Sequence, residues 1–185
     1  YAGSRMVING QREYHHSQLG VMHYQYALEL AAKYGIMLDV HEPIKSTGIE
    51  RTWPNLMTRE GARGQEYEGG GLTPSHTCFL PYTRLLAGGM DYTSGIFDVG
   101  NPTKRIATTV TRQIAYYVTI YSGMQMAADR PRFYEENFPD LFEFIRNLPT
   151  SWERTLPLVG EIGKSYVVAR PAWNSSWLFN FILKP

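Results

Sequence analysis

The sequence predicts an α/β chain of the β/α-barrel or doubly wound kind, and three observations carry that prediction. An apolar stripe at helical spacing over residues 17–34 runs into a short apolar stretch, Ile36 to Val40, in the order of a crossover helix and a buried parallel strand. That stretch ends on His41-Glu42, at the carboxyl end of the strand, where both architectures gather ligands. A long loop region with further glutamates follows, and then a second apolar helix over residues 106–121.

Residues 1–16 are polar and read as irregular. Tyr14-His15-His16 has the donor types of a metal cluster, but adjacent histidines in a loop are more often solvated or hydrogen-bonded. Ser17 is placed to cap the first helix. Leu19, Met22, Tyr26, Leu30 and Tyr34 form its stripe, and Gly35 fits the position just past its end. Pro43 stops the following strand.

Residues 44–75 lack periodicity and read as a long functional loop. Gly69-Gly70-Gly71 within it reads as a hinge or insertion point. Residues 76–87 read as a buried element interrupted by Pro81, and 88–97 as a short strand with a turn. Thr103 is a candidate cap for the helix over 106–121, whose face is Ile106, Val110, Ile114, Val118 and Tyr121. Asp129 and Pro131 end the apolar segment after it. Another helix begins near Pro139 and closes at Pro149. From Ser151 the pattern turns β-like over Tyr166–Arg170 and Trp177–Leu183, where Trp177, Phe179, Phe181 and Leu183 alternate. The abrupt start and the unpartnered last strand predict a piece of a longer protein.

The 185 residues suffice for one domain with a sizeable core. A formal net charge of +1 gives no argument for nucleic acid or an anionic membrane. No apolar run is long enough to span a membrane. The single cysteine, Cys78, excludes an internal disulfide and any multi-cysteine metal site. Aromatics are 14% of residues; most fit a core, while Trp53 and Tyr67, in loops beside carboxylates, fit a groove for sugar rings.

Three readings of Glu42, Glu60 and Glu66 follow from their chemistry. They are ion-pair partners of Arg51, Arg59, Arg63 and Arg84, or oxygen ligands of a cation such as calcium, or acid and base catalysts. Glycoside hydrolases use two carboxyl groups about 6.5–9.5 Å apart to invert and about 5–5.5 Å apart to retain configuration. The 24 residues from Glu42 to Glu66 permit such a pair without fixing its distance. Walker, dinucleotide and G-x-S-x-G motifs are absent from the sequence.

The strings HEPIKSTGIERTWPNLMTREGARGQEY, HTCFLPYTRLLAGGMDYTSGIF and YYVTIYSGMQMAAD closely resemble glycoside hydrolase family 97, from Tyr1 to about Arg170. The resemblance implies the C-terminal half of a (β/α)8 TIM-type barrel over residues 1–150, followed over 151–185 by the first strands of a β-sandwich domain. It implies a calcium-dependent α-glucosidase or α-galactosidase of the bacterial periplasm, acting on oligosaccharides. Position by position, Glu66 matches the general acid, and Glu42 a carboxylate that holds calcium and helps activate water. Glu60 matches a second calcium ligand and His41 a histidine that contacts substrate.

Inverting members carry His-Glu after this strand and retaining members His-Gly, with an aspartate nucleophile on an earlier strand. His41-Glu42, and the lack of a carboxylate from Tyr1 to Arg12, imply the inverting α-glucosidase branch. A retaining α-galactosidase and a non-catalytic carbohydrate-binding fragment are the alternatives. GGMDYTS departs from the family pattern, with Gly89 and Ser94 in place of prolines, and the stretch Met6–Arg12 is longer than usual. The resemblance places one more base carboxylate, a calcium ligand and a substrate lysine before Tyr1, so the chain alone is expected to be inactive. Oligomeric state is not legible.

Overall fold

The computed structural model describes residues 6–67, 72–100, 107–171 and, for the backbone alone, 178–183. The described residues open on a hairpin that the polar composition of residues 1–16 conceals. Strands β1 (Val7–Ile8) and β2 (Gln11–Arg12) pair antiparallel. Between them Asn9 and Gly10 both take positive φ, 52° and 78°, the requirement of the two-residue turns that Asn-Gly favours.

Helix α1 spans Gln18–Lys33. The Ser17 side chain accepts the Gly20 amide at 3.2 Å, and Gly35 leaves the helix at φ 66°, both as the sequence predicts. The buried face is different from the predicted stripe. Gly20, Tyr24, Leu28 and Ala31 face inward, whereas Leu19, Met22, Tyr26, Leu30 and Tyr34 are exposed. The helix is apolar on two sides, so spacing alone could not choose between them. The choice is made by the strands, because Val40, Ile44 and Leu56 pack on Tyr24 and Leu28. Complete burial of a side chain such as Leu28 contributes about 1.5–3 kcal/mol.

Strand β3 (Leu38–Val40) is two residues shorter than predicted and pairs in parallel with β4 (Leu56–Arg59). The second strand lies inside the stretch read as a loop. Its sequence, Leu-Met-Thr-Arg, hides it, since Thr58 and Arg59 are buried polar residues and break the apolar pattern. Backbone hydrogen bonds extend the row. The Glu60 amide donates to Val40, the Asp91 amide to Arg59, and the Met90 amide to Tyr121, at 2.9, 3.0 and 2.8 Å. The predicted strand within 88–97 is thus irregular but stands in the row beside β4.

Helix α2 (His76–Phe79) and two short turns of tighter helix, Leu80–Tyr82 and Arg84–Ala87, form the element predicted over 76–87. Helix α3 spans Val110–Thr119, capped by Thr109, whose hydroxyl accepts the Arg112 amide at 3.2 Å. The predicted cap Thr103 and the first face residue Ile106 lie outside the described residues, as do Gly69-Gly70-Gly71 and Trp177. Beyond Gln113 the helix is buried nearly all round, not on one face, and Tyr121 is exposed. Ala115, Tyr116 and Ile120 join Cys78, Leu80, Met90 and Tyr92 in a second core cluster.

Pro131, at the end of the apolar segment, also opens helix α4 (Pro131–Asn137), where its missing N–H costs nothing. Helix α5 (Pro139–Asn147) follows as predicted. Strands β5 (Leu156–Glu161), β6 (Ser165–Pro171) and β7 (Leu178–Leu183) form an antiparallel sheet in that order. The mostly exposed β5 was not legible from the sequence; β6 and β7 match their predicted spans within a residue. No described helix is long and apolar enough to cross a membrane.

Candidate active site

Alternation along β3 and β4 sends alternate side chains to opposite sides of the row. Val40 goes to the α1 core, while Asp39, His41 and Glu60 meet on the other side. His41 stands at the centre. Its Nε2 is 2.7 Å from Asp91 Oδ2 and 3.7 Å from Asp39 Oδ2, and its Nδ1 is 3.8 Å from Glu60 Oε2. Donor atoms of His41, Glu60 and Glu66 lie within 4.8 Å of one another, and so do those of Asp39, His41 and Asp91. These are the groups of metal-ligand type among the described residues. Tyr14, His15 and His16 instead pack their rings together, with the two imidazole centroids 4.0 Å apart.

Glu60 is buried, while Glu42 and Glu66 are exposed. Glu42 joins the group through its backbone, its amide donating to Glu60 Oε2 at 3.3 Å; its carboxylate belongs to neither cluster of described residues. Glu42 has φ 44°, in the left-handed region. A non-glycine residue is held there at a cost, and such residues concentrate at functional sites. Glu42→Gly should therefore keep or raise the unfolding midpoint, by about 1 kcal/mol of stability from the relieved left-handed conformation. A thermal melt of the variant protein measures this; a clear loss would show that the Glu42 side chain supports the fold.

Two of the neighbouring arginines, Arg59 and Arg84, are engaged elsewhere, which tells against them as ion-pair partners of the three glutamates. Arg59 reaches Glu50 at 3.6 Å, Ser46 at 2.9 Å and the Ala87 carbonyl at 2.6 Å. Arg84 donates to the carbonyls of Arg59, Glu60, Gly88 and Gly89 at 2.9–3.1 Å. It clamps the end of β4 to the loop that delivers Asp91. Burial, then the charge of Arg59, brings its pKa down to about 10.

Burial pushes the Asp39 carboxyl up to about 7, and the hydrogen bond and charge of Asp91 add to it against the pull of His41. At His41 burial opposes the charged form, but the hydrogen bond to Asp91 and the charges of Asp91, Glu60 and Asp39 outweigh it and raise the pKa. Glu60 is raised as well, by burial first. The Glu42 amide and the charge of His41 oppose the rise and the adjacent Glu66 reinforces it. The site is thus an excess of carboxylates around one imidazole. It can hold a cation, share protons, or both.

Three of the four residues singled out from the sequence, His41, Glu60 and Glu66, converge side chain to side chain. Asp39 and Asp91 were missed. Asp39 had a signal, being an aspartate inside an apolar strand, where an unpaired carboxylate is costly. Asp91 lies in GGMDYTS, which offers no such contrast.

The model of the family described as Glycoside hydrolase 97 matches residues 4–62. A "Probable retaining alpha-galactosidase" of Streptomyces bingchenggensis is 35% identical over 147 residues, 80% of this chain and 22% of that protein. A "Retaining alpha-galactosidase" of Bacteroides thetaiotaomicron is 34% identical over 157 residues, 78% of this chain and 23% of that protein. Among solved structures, a Glycoside Hydrolase Family 97 enzyme of Pseudoalteromonas sp. in complex with acarbose matches with a TM-score of 0.83 and 39% identity, over 98% of this chain and 30% of that one. A Family 97 enzyme of the same source in complex with panose matches equally well, at 38% identity.

The mixed α/β structure and these likenesses together place the chain among the glycoside hydrolases. It belongs to glycoside hydrolase family 97, and it spans less than a third of the relatives it matches.

Proposed function

We propose that the protein carrying this chain hydrolyses α-glucosidic bonds in oligosaccharides with inversion of configuration. The observation that supports this best is the convergence of Glu60, Glu66 and His41, with Glu42 held beside them in a conformation that favours glycine. A glutamate kept at φ 44° points to a task for its carboxylate. Glu66, exposed at the edge of the cluster, is the general acid that protonates the leaving oxygen. Glu42 is the carboxylate that helps draw a proton from the attacking water, and His41 contacts the sugar.

Residues 1–150 are read as the second half of a (β/α)8 barrel, and 151–185 as the opening strands of a β-sandwich domain. The side-by-side row of segments at β3, β4, 90–91 and 121 supports the first reading, and the antiparallel β5–β6–β7 sheet the second.

Calcium is the proposed cofactor. The fit is one of donor chemistry, since calcium takes 6–8 oxygen ligands, and buried Glu60 lies beside Glu66 with its proton affinity raised. Glu60 and Glu42 are the residues assigned to hold it. Once bound, the ion would supply positive charge to offset the crowded carboxylates. The periplasm is the proposed compartment, a reading that the family relationship supports.

A retaining α-galactosidase is the second reading, and the names of the curated relatives favour it. The acarbose and panose complexes of the structural relatives, and Glu42 itself, favour the first. Proton NMR of the first-formed sugar decides between them. The β-anomer is expected, and an α-anomer would establish the retaining reading.

A further inference from the structure

Asp91 is nearly inaccessible, 2% exposed, and its position is fixed from three sides. Its own amide donates to the Arg59 carbonyl at 3.0 Å, and the preceding amide of Met90 to Tyr121. Its Oδ1 accepts the Thr93 amide at 2.7 Å, in a turn where Thr93 takes φ 56°. Its Oδ2 is aimed at His41 Nε2, 2.7 Å away, and the Asp91 carboxylate also shares a hydrogen bond with Asp39. His41 faces carboxylates on both nitrogens, with Glu60 on the Nδ1 side at 3.8 Å and Asp39 farther from Nε2 at 3.7 Å. The shortest contact governs where the ring proton sits.

We propose that Asp91 is the positioning residue for His41, holding the imidazole with its proton on Nε2 and turning Nδ1 toward Glu60 and the sugar. It acts through His41 and not on substrate. Partners of this kind commonly change activity or affinity by about 10–100-fold when removed. The kinetic consequence rests on the glucosidase reading; the tautomer does not.

Two measurements on the whole protein test this. In protein labelled with nitrogen-15 in its histidine rings, at alkaline pH where the ring is neutral, His41 should show the Nε2–H tautomer. The signal is assigned by its loss in His41→Ala. Asp91→Asn keeps an oxygen for the Thr93 amide and turns an N–H₂ toward Nε2, so the proton should move to Nδ1. An Nδ1–H tautomer in the unsubstituted protein overturns the proposal without any variant.

In kinetics, Asp91→Asn should lower kcat/KM by about 10–100-fold. On the His41→Ala background it should cost less than about threefold, because coupled residues are not additive. Equal losses on both backgrounds would show that Asp91 acts independently of His41, and the proposal fails. A tautomer switch in a protein without glucosidase activity would instead sink the functional reading and leave the positioning role standing.

Discussion

Glu66→Gln should lower kcat/KM on maltose-type substrates by about 10²–10⁴-fold, the usual contribution of a positioned general acid. A sugar leaving group departs as a poor alkoxide unless it is protonated as the bond breaks. Glutamine keeps the size and polarity of Glu66 but has no proton to give. The same substitution should cost far less on an aryl α-glucoside, whose phenolate leaves unaided. The contrast between the two substrates carries the assignment, because a variant that merely disturbs binding loses both alike. Glu66 is exposed, so the substitution removes few contacts and leaves the fold intact. Equal activity of variant and parent on maltose would remove Glu66 from the acid role, and the base role of Glu42 would need reassignment with it.

What was legible depended on whether local chemistry and tertiary packing agreed. The α1 cap at Ser17 and the exit at Gly35 are local hydrogen-bond and backbone matters, and both appear where the sequence places them. The buried face of α1 is a tertiary matter, and two apolar stripes left it open. Strand β4 was hidden because two of its three buried residues, Thr58 and Arg59, are polar; the buried Thr58 hydroxyl is satisfied by Ser122 at 2.8 Å, sixty-four positions away. The same long-range logic hid Asp91. Its value comes from a 50-residue separation to His41 that no spacing rule encodes. The glutamates were legible for the opposite reason, being charges stranded among glycines and prolines in one stretch. Their division into roles came from family resemblance, since spacing alone left ion pairing, cation binding and catalysis open.

Glu60→Gln should separate calcium binding from mere packing by reversing sign with the metal. Glutamine keeps the oxygen that accepts the Glu42 amide, so the shape of the site survives while the charge goes. Burial, then the opposing Glu42 amide and His41 charge, then the adjacent Glu66 set the proton affinity of Glu60, and the net effect is upward. A carboxyl whose folded pKa lies above its unfolded one favours the fold when protonated. Stability is then lost as pH rises from the unfolded value through the folded one. Without calcium at neutral pH, Glu60→Gln should therefore melt at the same temperature as the parent or higher, and the difference should vanish in acid. With calcium the order should invert. A ligand at a hundred times its Kd stabilises by about 2.7 kcal/mol, and a variant lacking a ligand carboxylate loses most of that gain. The measurement is a pair of thermal melts, in chelator and in millimolar calcium, for each protein. A parent whose midpoint ignores calcium would dismiss the cofactor. A variant stabilised by calcium as much as the parent would dismiss Glu60 as a ligand, and Glu66, the carboxylate that shares a cluster with Glu60 and His41, would be the next to substitute.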